Sequence, residues 1–426
     1  MKNHLINYIL LIVFFLIDAK VTFCQTNPFV TQQNNLFFIN NKPYAFIGTN
    51  YWYGGFLLSD TKNNGKQRLV HELDFLKKNG INNLRVLLSA EGDSSYRYRV
   101  YPSLQIHPLE YNEDGMEGFD FLLAEATKRD LKIVFVLNNN WEWSGGFGQY
   151  LEWAKYGNTP LPKTPHWDWN QYSEYIAQFY TCYACKAWYN KWIYYVLNRE
   201  NKITHRKYKD EPTIMAWELA NEPRPMKINA VLDYKIWINE TANYIKSLDR
   251  NHLVTIGVEG VISTLNDETI FSDIHSFKHI DYATIHLWPK TWQWYNGKSE
   301  ESVQDSTLQK TIKYIEQHAK LMQIINKPLV IEEFGLHRDG NSFSSTATTK
   351  NRDLYYQSIF ETGKRNHIAG YNFWGFAGVP SNENELHFMQ KGMPYSADPP
   401  QEEQGLYSVF ESDTSTWKII SSSIKK

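Results

Sequence analysis

Cysteine is scarce in this chain: three in 426 residues. That excludes a disulfide-stapled scaffold. The C-x-x-C pair Cys182 and Cys185 supplies too few ligands for a structural zinc site. A redox role would need a thioredoxin-like context, which is absent. A local disulfide is expected, with two unlinked structural cysteines as the alternative. Net charge is also small, −2, so neither nucleic acid nor an anionic membrane is an expected partner. There is no H-E-x-x-H or comparable ligand cluster and no phosphate-binding glycine loop, so no metal and no cofactor is expected. Linkers, low-complexity tracts and repeats are missing too, which leaves residues 25–426 as one expected domain, read as a monomer. Long apolar runs are limited to residues 8–17, too short for a membrane span of roughly 20 residues. With Lys2 before the run and Thr22 and Cys24 after it, residues 1–24 read as a secretory signal peptide. The mature chain is then extracellular or periplasmic. Lipid attachment at Cys24 is the less favoured alternative, because Phe23 is bulky.

Aromatic residues are abundant: 15 Trp, 28 Tyr and 23 Phe. Much of this fills a core, but Trp also suits surfaces that are apolar on one face and polar at the edge, such as sugar-binding clefts. Eight apolar segments have strand character: 45–50, 83–88, 132–138, 214–221, 253–258, 282–287, 329–334 and 370–374. Helix-period segments alternate with them: 67–78, 116–129, 170–180 with 184–198, 233–248, 306–325 and 351–366, closed by 412–424. The connection from the fifth strand to the sixth has the weakest helical pattern. A short hairpin over 36–44, turning at Asn40-Asn41, precedes the first strand and is expected to plug the base. Eight alternating βα units predict an α/β fold, a closed (β/α)8 TIM barrel.

Active sites of such barrels lie at the C-terminal ends of the strands. Each expected tip is polar or aromatic: Asn50-Tyr-Trp52, Arg85, Asn138 through Trp143, Asn221-Glu222, Glu259, His286-Leu-Trp288, Glu332-Glu333 and Trp374. Pro223 cannot donate to a ladder, so the fourth strand must stop there and hold Glu222 at the mouth. Glycoside hydrolysis needs two carboxyls, one protonated and one ionised. Glu222 and Glu333, on strands four and seven, face each other across the mouth. Alternation along a strand predicts that only one of Glu332 and Glu333 points inward. Arg85 is the natural cation to keep a carboxylate ionised. It can equally be a buried partner of Glu218, and the two roles are compatible. His286 is placed to hydrogen-bond the acid.

Asn221-Glu222-Pro223, His286-x-Trp288, Glu333-Phe334-Gly335 and the late Trp374 resemble the retaining family 5 glycoside hydrolases. Gly48-Thr-Asn-Tyr-Trp-Tyr-Gly-Gly55, Trp217 through Arg224, Ile285 through Pro289, and Asp398-Pro-Pro with Gly405-Leu-Tyr-Ser-Val409 are similar to their endo-β-1,4-mannanase branch. The resemblance implies Glu222 as acid/base, Glu333 as nucleophile, Asn221 on the sugar 2-hydroxyl, and Arg85 and His286 as supporting residues. It implies Trp374 as the platform beneath the −1 sugar. Many members carry Tyr where this chain has Trp288. Trp288 either replaces that contact through its N–H or serves as a sugar platform. Trp52 and Trp141 are further substrate-binding candidates because they follow strand tips. Trp143, Trp292 and Trp294 are divided evenly between ligand contact and packing.

The implied substrate is β-1,4-linked mannan, glucomannan or galactomannan, cut internally by double displacement. The alternatives are a β-1,4-glucanase on the same scaffold and a non-catalytic carbohydrate-binding barrel.

Overall fold

Eight parallel strands form one sheet: Phe46–Asn50, Asn83–Leu87, Lys132–Val136, Ile214–Glu218, Leu253–Thr255, Ala283–Leu287, Leu329–Phe334 and Gly370–Phe373. They are numbered one to eight below. The computed structural model describes residues 27–424 except 94–97, 162–166, 297–305, 381–387 and 391. The expected signal peptide, residues 1–24, lies outside the described residues. Laddered neighbours run in chain order from strand one to strand five and from strand six to strand eight, with strand eight beside strand one. Strands five and six close the ring through individual bonds. Asp281 and Val254 exchange them: Val254 N–H donates to the Asp281 carboxylate at 2.7 Å, and Asp281 N–H to the Val254 carbonyl at 2.8 Å. Higher up, Thr284 Oγ1 donates to the Val258 carbonyl and His286 N–H to that of Glu259. The fold is the expected (β/α)8 barrel. The strands are buried along their whole length because both faces are covered, by the barrel interior and by the outer helices.

The outer helices fall where the 3.6-residue period puts them, among them Gly65–Lys78, Glu113–Lys128, Tyr183–Asn198, Val231–Leu248, Ser306–Ile325, Lys350–Arg365 and Thr414–Ile424. The weak connection after strand five holds a short helix, Glu268–Ser276, capped by Asp267 and buried through Ile270, Phe271 and Ile274. Nine residues show too few turns for a clear period. A further helix, Gly146–Trp153, was not legible, because its start is glycine-rich.

The base is plugged as expected, by a three-stranded meander rather than a single hairpin: Thr31–Gln33, Leu36–Ile39 and Lys42–Tyr44. Its turns are Asn34-Asn35 and Asn40-Asn41. All four residues have positive φ, the conformation that tight hairpins require and asparagine tolerates. Phe37 packs on Phe46 and Tyr282 and seals the bottom.

Cys182 and Cys185 form a disulfide at the start of the helix Tyr183–Asn198.

Candidate active site

The fourth ladder ends at Glu218, three residues earlier than the apolar run suggested. The chain beyond it is still held. Leu219 N–H donates to the Thr255 carbonyl, Asn221 N–H to Asn138, and Glu222 N–H to Gly257 at 2.8 Å. Glu222 has φ of +51°, a left-handed conformation uncommon for a residue with a side chain. Such strain persists where surrounding structure enforces it, and it concentrates at functional sites.

Glu222 and Glu333 meet at the mouth. His286 Nδ1 lies 2.7 Å from Glu222 Oε1 and 3.3 Å from Glu333 Oε2. The nearest oxygens of the two carboxyls are within 4.8 Å of each other. Trp141 donates its indole N–H to Glu222 Oε2 at 2.6 Å. Trp288 donates to Glu333 Oε2 at 3.0 Å, so the replacement of tyrosine retains a donor.

Arg85 ties Glu333 to Glu218. Its Nη1 donates to Glu333 Oε1 and to Asn50, and its Nη2 to Asn221 Oδ1 at 2.9 Å. Its Nε and Nη2 clamp both oxygens of Glu218, at 2.9 and 2.5 Å. One side chain therefore makes both expected contacts. A planar fork with five donors can do this, and an ammonium cannot.

The alternation argument for Glu332 and Glu333 fails. Between strands six and seven, Ile285 pairs with Ile331 but His286 pairs with Glu333. Glu332 is the extra residue of a bulge, which re-aims side chains locally. Both carboxyls therefore face the polar centre. Glu332 Oε2 lies 3.6 Å from Arg85 Nε and 3.5 Å from His286 Nε2.

Burial pushes the Glu222 carboxyl above the usual range, against the opposing pull of the Arg224 charge and the Trp141 N–H. Burial raises Glu333 as well, but there the Arg85 guanidinium is in direct contact and favours the charged form. Two close carboxyls cannot both ionise freely. Burial and the nearby Arg85 lower His286 to about 3, so it is neutral and accepts or donates a hydrogen bond without adding charge. Glu222, His286 and Glu333 are also the one group among the described residues close enough to share a cation. One oxygen of Glu333 already belongs to Arg85.

A cavity of about 780 Å³ opens above the pair. Trp141, Trp143, Asn221, Trp288, Trp374 and Tyr407 line it among others. Trp374 meets Trp288 edge-on, and the Trp374–Gly375 peptide is cis. A second cavity of similar volume lies by the base and the helix Thr414–Ile424, far from these carboxyls. Not all the tryptophan candidates reach the mouth. Trp52 does not line the large cavity; it lines a small pocket beside it with Asn50, Arg85, Asn221 and Trp374. It is 3% exposed, donates to the Ala397 carbonyl at 2.8 Å and packs edge-on to Trp143 and Tyr395. The C-terminal segment folds over it, which no local pattern announces. Trp292 and Trp294 pack on Tyr314.

Several lining residues were not singled out from the sequence, among them Arg224, Trp167 and Trp169. Arg224 lies over the Trp141 ring at 5.1 Å and pairs with Glu259. Trp167 and Trp169 line the cavity from the long connection after strand three. The W-D-W spacing was the one available signal for these two.

A parallel barrel with a close carboxyl pair at its mouth, an arginine on one member and a tryptophan-lined cavity above defines a glycoside hydrolase. Comparison with known proteins gives the particular family. Residues 27–426 match the family described as GH family 5 beta-mannosidase-like, and the chain belongs to it. It is 30% identical to mannan endo-1,4-beta-mannosidase 1 of Arabidopsis thaliana over 411 residues, 92% of this chain and 93% of the relative. Mannan endo-1,4-beta-mannosidase 7 of the same plant is 32% identical, covering 81% of this chain and 77% of that one. Among solved structures, the family 5 mannosidase of Rhizomucor miehei superposes with a TM-score of 0.85 at 31% identity, covering 94% of this chain and 97% of that one. The endo-1,4-beta-mannanase of the same fungus gives 0.68 at 28% identity, covering 93% and 100%.

Proposed function

We propose that this protein is an endo-acting, retaining hydrolase of β-1,4-mannosidic bonds in mannan, glucomannan or galactomannan. The observation that carries the mechanism is the spacing of Glu222 and Glu333, whose nearest oxygens are within 4.8 Å. Retaining pairs stand about 5–5.5 Å apart, whereas inverting pairs leave roughly 6.5–9.5 Å for a water. Glu333 attacks the anomeric carbon. The bond to the leaving oxygen breaks as that oxygen takes the proton of Glu222. A covalent glycosyl-enzyme results. Glu222, now a carboxylate, removes a proton from water, whose oxygen displaces Glu333 and regenerates both groups.

Arg85 keeps Glu333 ionised and orients Asn221 toward the sugar 2-hydroxyl. His286 fixes the Glu222 carboxyl, Trp288 holds Glu333, and Trp374 and Trp141 offer faces to sugar rings. The mannan substrate is supported by the names of the plant relatives. Export, with removal of residues 1–24, and a monomeric state belong to the same proposal. No helix among the described residues is long and apolar enough to cross a membrane.

Exo-acting β-mannosidase activity is the second reading. It is favoured by the higher TM-score to the fungal mannosidase. Mannohexaose digestion separates the two. Mannobiose and mannotriose as early products support internal cutting, and mannose alone supports the exo reading. Release from carboxymethylcellulose but not from mannan would overturn both.

A further inference from the structure

Beyond their ladder, the third and fourth strands are joined again by a bridge between Asn139 and Asn221. Asn221 N–H donates to the Asn138 carbonyl at 2.9 Å, and Asn140 N–H to that of Asn221 at 3.0 Å. The two side chains also meet: Asn221 Nδ2 donates to Asn139 Oδ1 at 3.2 Å. Asn221 lines the cavity above the carboxyls, whereas Asn139 is fully buried behind it and does not. Asn139 can therefore reach the reaction only through Asn221.

Neither amide can turn round. Arg85 Nη2 donates to Asn221 Oδ1 at 2.9 Å, and a guanidinium accepts nothing, so the Asn221 nitrogen must face Asn139. The Trp141 backbone N–H donates to Asn139 Oδ1 at 3.0 Å. The Asn139 nitrogen must then face the other way, where it donates to Ser144 Oγ at 3.1 Å. Ser144 Oγ lies 3.1 Å from Ser89 Oγ, which donates to the Glu91 carboxyl at 2.9 Å. Glu91 accepts two further bonds, from Gln105 Nε2 at 3.1 Å and from Gly146 N–H at 2.9 Å. Ser89, Glu91 and Ser144 are all fully buried, so bulk water does not compete for these bonds. The relay ends on a carboxyl that the proposed mechanism does not use.

One N–H of Asn221 Nδ2 is engaged by Asn139, which leaves the other for a ligand. Hydrogen bonds to the sugar 2-hydroxyl strengthen in the transition state of glycoside hydrolysis. A small turn of the Asn221 amide would therefore cost rate more than binding. We infer that Asn139 is a positioning residue for the reaction: anchored through Ser144 and Ser89 on Glu91, it clamps the Asn221 nitrogen so that its second N–H is presented to the hydroxyl beside the anomeric carbon. This rests on the proposed function, in which Asn221 binds that hydroxyl.

The test compares kcat/KM for a nitrophenyl β-mannotrioside with kcat/KM for the analogue lacking the 2-hydroxyl on the mannose next to the nitrophenyl group. The ratio of the two is measured in the wild type, Asn139→Ala and Asn221→Ala. It isolates the hydroxyl contact, because damage elsewhere, at Trp141 or Glu222, lowers both substrates together and leaves the ratio intact. In Asn139→Ala the ratio falls about tenfold toward that of Asn221→Ala, with the fall in kcat and KM within about twofold of the wild type. A ratio in Asn139→Ala that stays at the wild-type value overturns the inference. So does a wild-type ratio no higher than that of Asn221→Ala. Where Asn139→Ala does not fold, Ser144→Ala, which keeps Asn139 and removes its anchor, is judged by the same ratio. Absence of wild-type hydrolysis of the parent glycoside would instead overturn the proposed function itself.

Discussion

Trp288 donates its indole N–H to Glu333 Oε2 at 3.0 Å. A donor on a carboxylate stabilises the charged form. Trp288→Phe keeps most of the ring and removes the donor. Its kcat is expected to fall about ten- to a hundredfold, the worth of one hydrogen bond to a charged group, with KM little changed. The acid limb of the pH profile should move to higher pH, since the Glu333 carboxyl is then easier to protonate. A large rise in KM with kcat intact would show a platform role instead.

Arg85→Lys replaces a fork that reaches Glu218, Glu333, Asn221 and Asn50 with a single ammonium. Breaking a buried pair costs about 3–5 kcal/mol, so the midpoint of denaturant unfolding should fall clearly. Where the variant folds, its acid limb should also shift upward, because the cation no longer holds Glu333 ionised. Unchanged stability would contradict the central place given to Arg85.

Glu333→Ala should lower kcat/KM by about a thousandfold or more on mannan, since residues acting as one catalytic unit lose most of the rate singly. The initial product of the wild type, followed by proton NMR, should be the β-anomer. An initial α-anomer would mean inversion, contrary to the short carboxyl spacing.

Glu222→Gln should inactivate the enzyme yet stabilise the fold. The Glu222 carboxyl is raised by burial above its value of 4.5 in the unfolded chain. Its contribution to stability is therefore complete below about pH 4.5 and is lost as pH rises through the folded value. The neutral amide avoids that loss. The melting temperature of Glu222→Gln should exceed that of the wild type by a margin that grows from pH 4.5 upward. A constant margin would mean that ionisation is not its origin.

The disulfide between Cys182 and Cys185 spans three residues of sequence. A loop that short restricts the unfolded chain little, about 2 kcal/mol at most by loop-closure entropy. C182S/C185S should unfold at slightly lower denaturant and keep full activity, as measured on mannan.

The barrel was legible because its signals are local. Apolar runs such as Ile214–Glu218 and Leu329–Phe334, separated by helical periods, state the alternation directly. The polar tips identified Glu222, Glu333, Arg85 and His286 because strand ends and active sites coincide in this architecture. The short helix Glu268–Ser276 escaped because nine residues carry too little period.

What the sequence determined by itself was therefore the strand order, the pair of carboxyls and the residues beside them. Tertiary structure alone decided how side chains meet across the mouth. It turned Glu332 inward through a bulge that pairs His286 with Glu333, an event set by register between two strands and invisible in either. It buried Trp52 beneath Ala397 and Tyr395, more than 300 residues away in the chain. It also brought Trp167 and Trp169 to the cavity that holds Glu222. Periodicity is a property of neighbours along the chain. Register, loop closure and the choice of which indole is covered depend on contacts between distant segments, which a single sequence does not display.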